Sequence, residues 1–139
     1  MTTHDELVLH LKGVRLFERC SDIDIDVVAQ YMETFSISGG RPIIRTGDEG
    51  DTLYLLLSGT ARVEQDGVAI RTLGPGDWVG ELAILSPAPR SADVVAETDA
   101  EVAYLRGEEF EVVLDVQPSV ARSLLGVLAE RVRDLSPGA

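Results

Sequence analysis

The chain has 139 residues, 45% of them hydrophobic, with 24 acids against 12 Lys plus Arg and a formal net charge of -12. That size suits one domain able to bury its own core, and no apolar run is long enough to span a bilayer. The acidic surface repels a polyanion and argues against direct nucleic-acid binding, but a small anion is governed by local groups, because charges beyond about 8 Å are screened at physiological salt.

The opening Met-Thr-Thr-His-Asp-Glu is polar and acidic. It lacks the basic start and apolar run of a secretory signal, so a cytoplasmic location is expected. Residues from Asp5 to Tyr31 read as helical, with Leu7, Leu11 and Val14, then Ile23, Val27, Val28 and Tyr31, recurring at three- and four-residue steps. Ser21-Asp-Ile-Asp24 has the form of a capping box at a helix start. Asp22, Asp24, Asp26 and Glu33 also match positions of a calcium loop, but Val27 stands where that loop needs Gly for its sharp turn. A capped helix is the better account. Cys20 is the only cysteine, which excludes an internal disulfide and fits a reducing compartment; a small buried residue is expected there.

Residues 32–106 read as a β body. Short runs such as ETFSI, TLYLLLSG, TARVEQ, VAIRTL and EVAYLR alternate with the turn sequences TGDEGD, DG and GPGD. Asp66-Gly67 between two runs is a hairpin signal. Many short strands joined by turns suggest a sandwich, jelly roll or closed barrel. Residues 108–135 read as two helices. Phe110, Val113 and Leu114 form one short face; Pro118 begins the next helix, along which Val120, Leu124, Val127, Leu128, Val132 and Leu135 form a stripe. The closing Ser-Pro-Gly-Ala ends it.

Few arrangements offer chemistry. His4 and His10 both precede the β body, so neither a strand-borne metal set nor a Ser/His/Asp set is expected, and no metal site is assigned. Gly74, Gly76 and Gly80 do not have dinucleotide-fingerprint spacing, and no P-loop lysine follows them. The segment GELAILSPAPRSADVV (residues 80–95) is different. Gly80 permits close backbone approach, residues 81–85 can form a helical turn that presents N–H groups to a phosphate, and Pro87 and Pro89 stiffen the return. Arg90 supplies a planar fork of donors suited to phosphate oxygens, Ser91 adds a hydroxyl, and Ala92 keeps the neighbourhood small. Glu81 can accept from a sugar hydroxyl. A structural Glu81–Arg90 ion pair would account for the two charges but not for the glycine, the turn or Ser91. Together these residues suit a ribose phosphate.

The segment GELAILSPAPRSADV resembles the phosphate-binding cassette of cyclic nucleotide-binding domains, as found in the catabolite activator family, protein kinase A regulatory subunits and cyclic-nucleotide-gated channels. GDEGDTLYLLLSGTARV and LGPGDWVGELAIL are similar to the runs that lead to it, and the likeness extends from about Leu16 to Leu135. The resemblance implies a mainly β fold, an eight-stranded β jelly roll (double-stranded β-helix) with N-terminal helices and two C-terminal helices, as a single domain over residues 1–139. By the same resemblance, Glu81 holds the ribose 2′-hydroxyl, Gly80 allows close approach, the N–H groups of Leu82 and Ala83 face the cyclic phosphate, Arg90 neutralises it, and Ser91 adds a bond. Ser91 rather than Thr follows the cAMP pattern, with cGMP the other candidate ligand. Leu124, Leu128, Arg122 and Arg131 on the last helix are lid candidates. Two positions depart from the pattern: Val79 replaces an aromatic residue, and Asp93 replaces a Thr. Alternation from Ser91 places Asp93 on the same face, where a carboxylate would oppose a phosphate.

The expected function is a non-enzymatic cyclic nucleotide sensor that signals through its terminal helices, without a cofactor. The effector is expected on a separate protein or elsewhere in a longer product. The alternative is a ligand-free jelly-roll interaction module that dimerises through its last helix.

Overall fold

The computed structural model describes residues 3–135. The chain divides into two compact units, one of the residues through Tyr31 together with those from Glu108 onward, the other Met32–Gly107.

In the first unit, helix α1 (His4–Lys12) starts at Thr3, whose hydroxyl accepts the Glu6 N–H at 3.2 Å. A short 3-10 turn (Arg15–Phe17) leads to α2 (Asp22–Gln30), which opens with the capping box expected at Ser21 and Asp24. The Asp24 N–H donates to Ser21 Oγ at 3.1 Å, and the Ser21 N–H donates to Asp24 Oδ2 at 3.2 Å. The buried face of α2 is Ile25, Val28 and Ala29, with Ile23 exposed and Val27 half-buried. This corrects the apolar face expected from Ile23 and Val27. The cap fixes the helix phase, and in that phase Asp24 and Ile25 turn inward. Helix α3 (Gly107–Val116) buries Phe110 and Val113; α4 (Ser119–Leu135) buries Val120, Leu124 and Val127 but exposes Val132 and Leu135. The stop signal at Ser136–Ala139 lies outside the described residues.

Asp22, Asp24 and Asp26 are all helical. The Asp24 carboxylate accepts from Gln117 Nε2 at 3.0 Å and from the Ser119 hydroxyl, while Asp22 meets Lys12 and Asp26 meets His4. Their calcium-like spacing is thus helix chemistry. Burial alone would push the Asp24 carboxyl up, but the bonds from Ser119, Gln117 and Ser21 outweigh it and hold the group below its ordinary range.

The second unit is built from ten strands. β1 (Glu33–Ile37), β2 (Pro42–Ile44), β3 (Glu49–Gly50), β4 (Thr52–Ser58) and β5 (Ala61–Gln65) are followed by β6 (Val68–Leu73), β7 (Trp78–Val79), β8 (Ala88–Pro89), β9 (Asp93–Ala96) and β10 (Ala100–Arg106). One four-stranded sheet has the order β1-β10-β4-β7 and the other β2-β9-β5-β6. The two sheets account for eight strands, arranged as a jelly roll. The expected count is corrected by β3 and β8, two-residue strands that pair only with each other. The shared core draws Leu56 and Val102 from one sheet and Ile44, Val63, Leu73 and Val94 from the other. Asp66 (φ 52°) and Gly67 (φ 78°) make a two-residue left-handed turn between β5 and β6, the twist that suits a tight hairpin. Among the described residues, no single helix is long and apolar enough to cross a membrane.

Candidate ligand-binding site

The site begins where β7 ends. Val79 pairs with Tyr54 and Trp78 with Leu55, so β7 is pinned to β4. Gly80 then takes φ +87°, and a Cβ there would stand 2.3 Å from the Thr52 carbonyl oxygen. Both the left-handed backbone and the close approach demand glycine. The chain turns back, and the Ile84 N–H donates to Gly80 O at 3.1 Å, closing one helical turn over residues 81–85. Ile84 is buried and anchors this turn, whereas Leu82 is exposed. The turn therefore rests on one buried anchor, with Ala83 and Leu85 half-buried. The N–H groups of Leu82 and Ala83 precede the first bonded N–H of the turn, as free groups at a helical start do.

The return arm is held by β3. Glu49 pairs with Pro89 and Gly50 with Ala88. The Arg90 N–H donates to Asp48 O at 2.8 Å, and the Gly47 N–H donates to Arg90 O at 2.9 Å, which fixes the Arg90 backbone on both sides. The Arg90 guanidinium donates to Thr52 O at 2.9 Å and lies with Cζ 5.9 Å from the Tyr54 ring centroid. A planar cation over an aromatic face is a favourable arrangement. Ser91 is exposed in a bend, and its carbonyl accepts from Gln65 Nε2 at 3.3 Å.

These residues come together. Gly80, Glu81, Leu82, Ala83, Arg90 and Ser91, with Ala88 and Pro89, line an open recess of about 300 Å3. Ala92 lies one residue beyond, half-buried against the core of the second unit. The recess offers a guanidinium, backbone N–H groups, a hydroxyl and one carboxylate, donors for an anion with an acceptor for a hydroxyl. The lid candidates belong to the helical unit. On α4, Arg122 is exposed, Leu124 buried, and Leu128 and Arg131 half-buried.

Asp93 does not continue an alternation from Ser91, because Ser91 precedes the strand and β9 starts at Asp93 itself. Its carboxylate accepts the Thr46 N–H at 2.6 Å and the Thr46 hydroxyl at 2.8 Å. Those two bonds, with a lesser contribution from the Arg45 charge, hold its pKa below the ordinary carboxylate range.

Four site residues escape sequence reasoning. Gly50 and Thr52 sit under Arg90, Tyr54 lies beside it, and Trp78 donates from Nε1 to Glu81 Oε2 at 2.8 Å. Gly50 reads in the sequence as one more turn glycine, and only its pairing opposite Ala88 reveals its use.

The second unit is thus a jelly roll with a recess that sets hydrogen-bond donors beside one carboxylate. The family model for the cyclic nucleotide-binding domain matches residues 34–117, and the chain belongs to that family. It is 33% identical over 129 residues to the cyclic AMP receptor protein of Thermus thermophilus, covering 89% of this chain and 60% of that protein. It is 34% identical over 130 residues to a cAMP-dependent protein kinase regulatory subunit of Pyricularia oryzae, covering 91% of this chain and 33% of that protein. Among solved structures, the N-terminal domain of a transcriptional regulator from Streptomyces coelicolor A3(2) is similar with a TM-score of 0.85 at 28% identity, covering 91% of this chain and 94% of that one. The chain spans 60% and 33% of the lengths of the two curated relatives.

Proposed function

We propose that this chain is a cAMP sensor. Its ligand is held by residues 80–92 and its state is reported through the C-terminal helices to an effector on a partner protein or a further domain. Arg90 and the N–H groups of Leu82 and Ala83 take the cyclic phosphate, Ser91 adds a hydrogen bond, Ala92 leaves room, and Glu81 accepts from the ribose 2′-hydroxyl. Leu124, Leu128, Arg122 and Arg131 form the lid over the base. The observation that carries this reading is the common recess lined by Gly80, Glu81, Leu82, Ala83, Arg90 and Ser91. The names of the two relatives, a cyclic AMP receptor protein and a cAMP-dependent kinase regulatory subunit, support a cyclic nucleotide ligand, and the choice of cAMP rests on Ser91. Binding moves the helices only through differential affinity for their two arrangements. Isothermal titration with cAMP and with cGMP tests the proposal: cAMP binds more tightly, and no heat with either nucleotide at millimolar concentration overturns it.

A second reading has its own observation. Leu125, Val132 and Leu135 are 65%, 62% and 84% exposed, and with Leu128 they fall at steps of three, four and three along α4. That spacing forms a coiled-coil seam, so α4 can serve as a ligand-independent dimer interface. Light scattering on the eluted protein, with and without cAMP, separates the two. A dimer of unchanged mass in both conditions, with no heat of nucleotide binding, favours the interaction module.

A further inference from the structure

We propose that Trp78 is a positioning residue for ribose recognition. Its indole N–H orients the Glu81 carboxylate toward the 2′-hydroxyl, so that the pair discriminates a ribose from a 2′-deoxyribose cyclic nucleotide. The inference rests on the cyclic nucleotide reading above and concerns how that site selects its sugar.

The geometry begins in the backbone. On a continuing strand, residues three apart point to opposite faces. Trp78 and Glu81 meet only because the left-handed turn at Gly80 reverses the chain between them. Trp78 is itself fixed, pinned through its pairing with Leu55 and set beside the apolar interior at Leu73 and Val94. Its Nε1 stands 2.8 Å from Glu81 Oε2 in a partly buried setting.

The chemistry suits positioning. An indole N–H is a donor only, so it serves the carboxylate without competing for the hydroxyl proton that the carboxylate is to accept. A bond to a charged acceptor is stronger than a neutral one, and partial burial strengthens it further. Glutamate is a flexible side chain whose ordering costs entropy. A rigid donor that restrains the carboxylate before the ligand arrives lowers that cost, which is the general advantage of preorganisation. Glu81 also borders two recesses, the cassette recess of about 300 Å3 and a neighbouring one of about 280 Å3 that Trp78 lines. The indole bond restrains the carboxylate at the border of the two.

The test uses the full chain and two ligands, cAMP and 2′-deoxy-cAMP, titrated calorimetrically into wild type and Trp78→Phe. Phenylalanine keeps an aromatic body and removes the N–H. The wild type binds cAMP about tenfold or more tightly than the deoxy ligand, the value of one charge-assisted bond. In Trp78→Phe that preference collapses toward unity, through loss of cAMP affinity with the deoxy affinity within about twofold of wild type. Equal weakening of both ligands, as a merely structural role would give, overturns the proposal, and so does an unchanged preference. A second readout needs no variant. Trp78 is the only tryptophan of the chain, so its emission reports the pair directly. Saturating cAMP changes it more than saturating 2′-deoxy-cAMP does; identical changes overturn the proposal. Wild type that binds neither ligand removes the cyclic nucleotide reading itself, a failure distinct from binding both ligands without preference.

Discussion

The guanidinium of Arg90 lies across Gly50, where a Cβ would stand 2.0 Å from Nε and 2.4 Å from Cζ. Gly50 has no positive φ, so space rather than backbone conformation requires glycine there. The obstructed atoms belong to the flexible end of a side chain, which can swing away at little cost to the fold. Gly50→Ala is therefore expected to keep stability within about 1 kcal/mol of wild type and to weaken cAMP binding about tenfold or more by displacing the arginine. Urea unfolding and calorimetric titration measure the two quantities side by side. Unchanged affinity would mean that the bound arginine does not need this resting place.

Removing the arginine outright gives the larger effect. Arg90→Ala is expected to weaken cAMP binding by about 2–3 kcal/mol, roughly 30- to 150-fold, the value of a charge-assisted contact. Arg90→Lys keeps the charge but loses the planar fork and the face that lies over Tyr54, so it recovers only part of the loss. A lysine variant equal to wild type would show that charge alone is used. Fluorescence competition against a labelled cyclic nucleotide resolves the three proteins.

Local chemistry was the most legible part of the fold. Ser21 with Asp24, and Asp66 with Gly67, are signals contained within a few residues, and the structure forms both the capping box and the hairpin. That Gly80 through Ser91 act as one unit was legible for the same reason, because they form one continuous segment, and the structure gathers residues 80–83 and 88–91 around one recess. What sequence reasoning missed depends on distant partners. Gly50 acquires its role from Arg90, 40 positions along the chain, and Asp24 is buried because Gln117 and Ser119 meet it from the far end of the sequence. Strands β3 and β8 are two residues each, too short for any periodicity to show. Trp78 and Glu81 are near neighbours, yet strand alternation separates them, and only the turn at Gly80 brings them together.

Asp93 is the position where the chain departs from its family's usual threonine, and its carboxylate is committed to Thr46 rather than to the cassette recess. Asp93→Ala is expected to leave cAMP affinity within about threefold of wild type and to lower the melting temperature by freeing the Thr46 N–H and hydroxyl. Because its folded pKa is depressed, the stabilisation is present above the ordinary carboxylate range and is lost as pH falls through the folded value. The melting temperatures of wild type and variant should therefore converge on acidification. A tenfold gain in affinity would instead show the carboxylate opposing the phosphate.

Asp24 makes the sharper acid prediction, since it is only 2% exposed. Burial pushes its carboxyl up, but bonds from Ser119, Gln117 and Ser21 prevail and set the folded pKa below 3.8. A depressed folded value means that the stabilisation is full above the unfolded pKa and disappears as pH falls from about 4 through the folded value. Asp24→Asn keeps the shape, but its amide nitrogen faces the Ser21 N–H, or, if flipped, the Ser119 and Gln117 donors. A loss of about 1–3 kcal/mol at pH 7 is expected, together with a shallower acid limb than wild type below pH 4. Parallel acid limbs would assign the proton uptake to another group. Cys20, half-buried where the sequence suggests a buried residue, provides an independent reporter in the same unit. Burial first, and the Asp24 charge second, push its thiol up to about 11, against an opposing bond with Ser123. The wild-type thiol is thus slow to alkylate at pH 9, because the thiolate is the reactive form. Asp24→Asn removes the second cause and leaves the first, so iodoacetamide should react faster in the variant while remaining slower than with a free cysteine. Equal rates in the two folded proteins would show that the Asp24 charge does not reach the thiol.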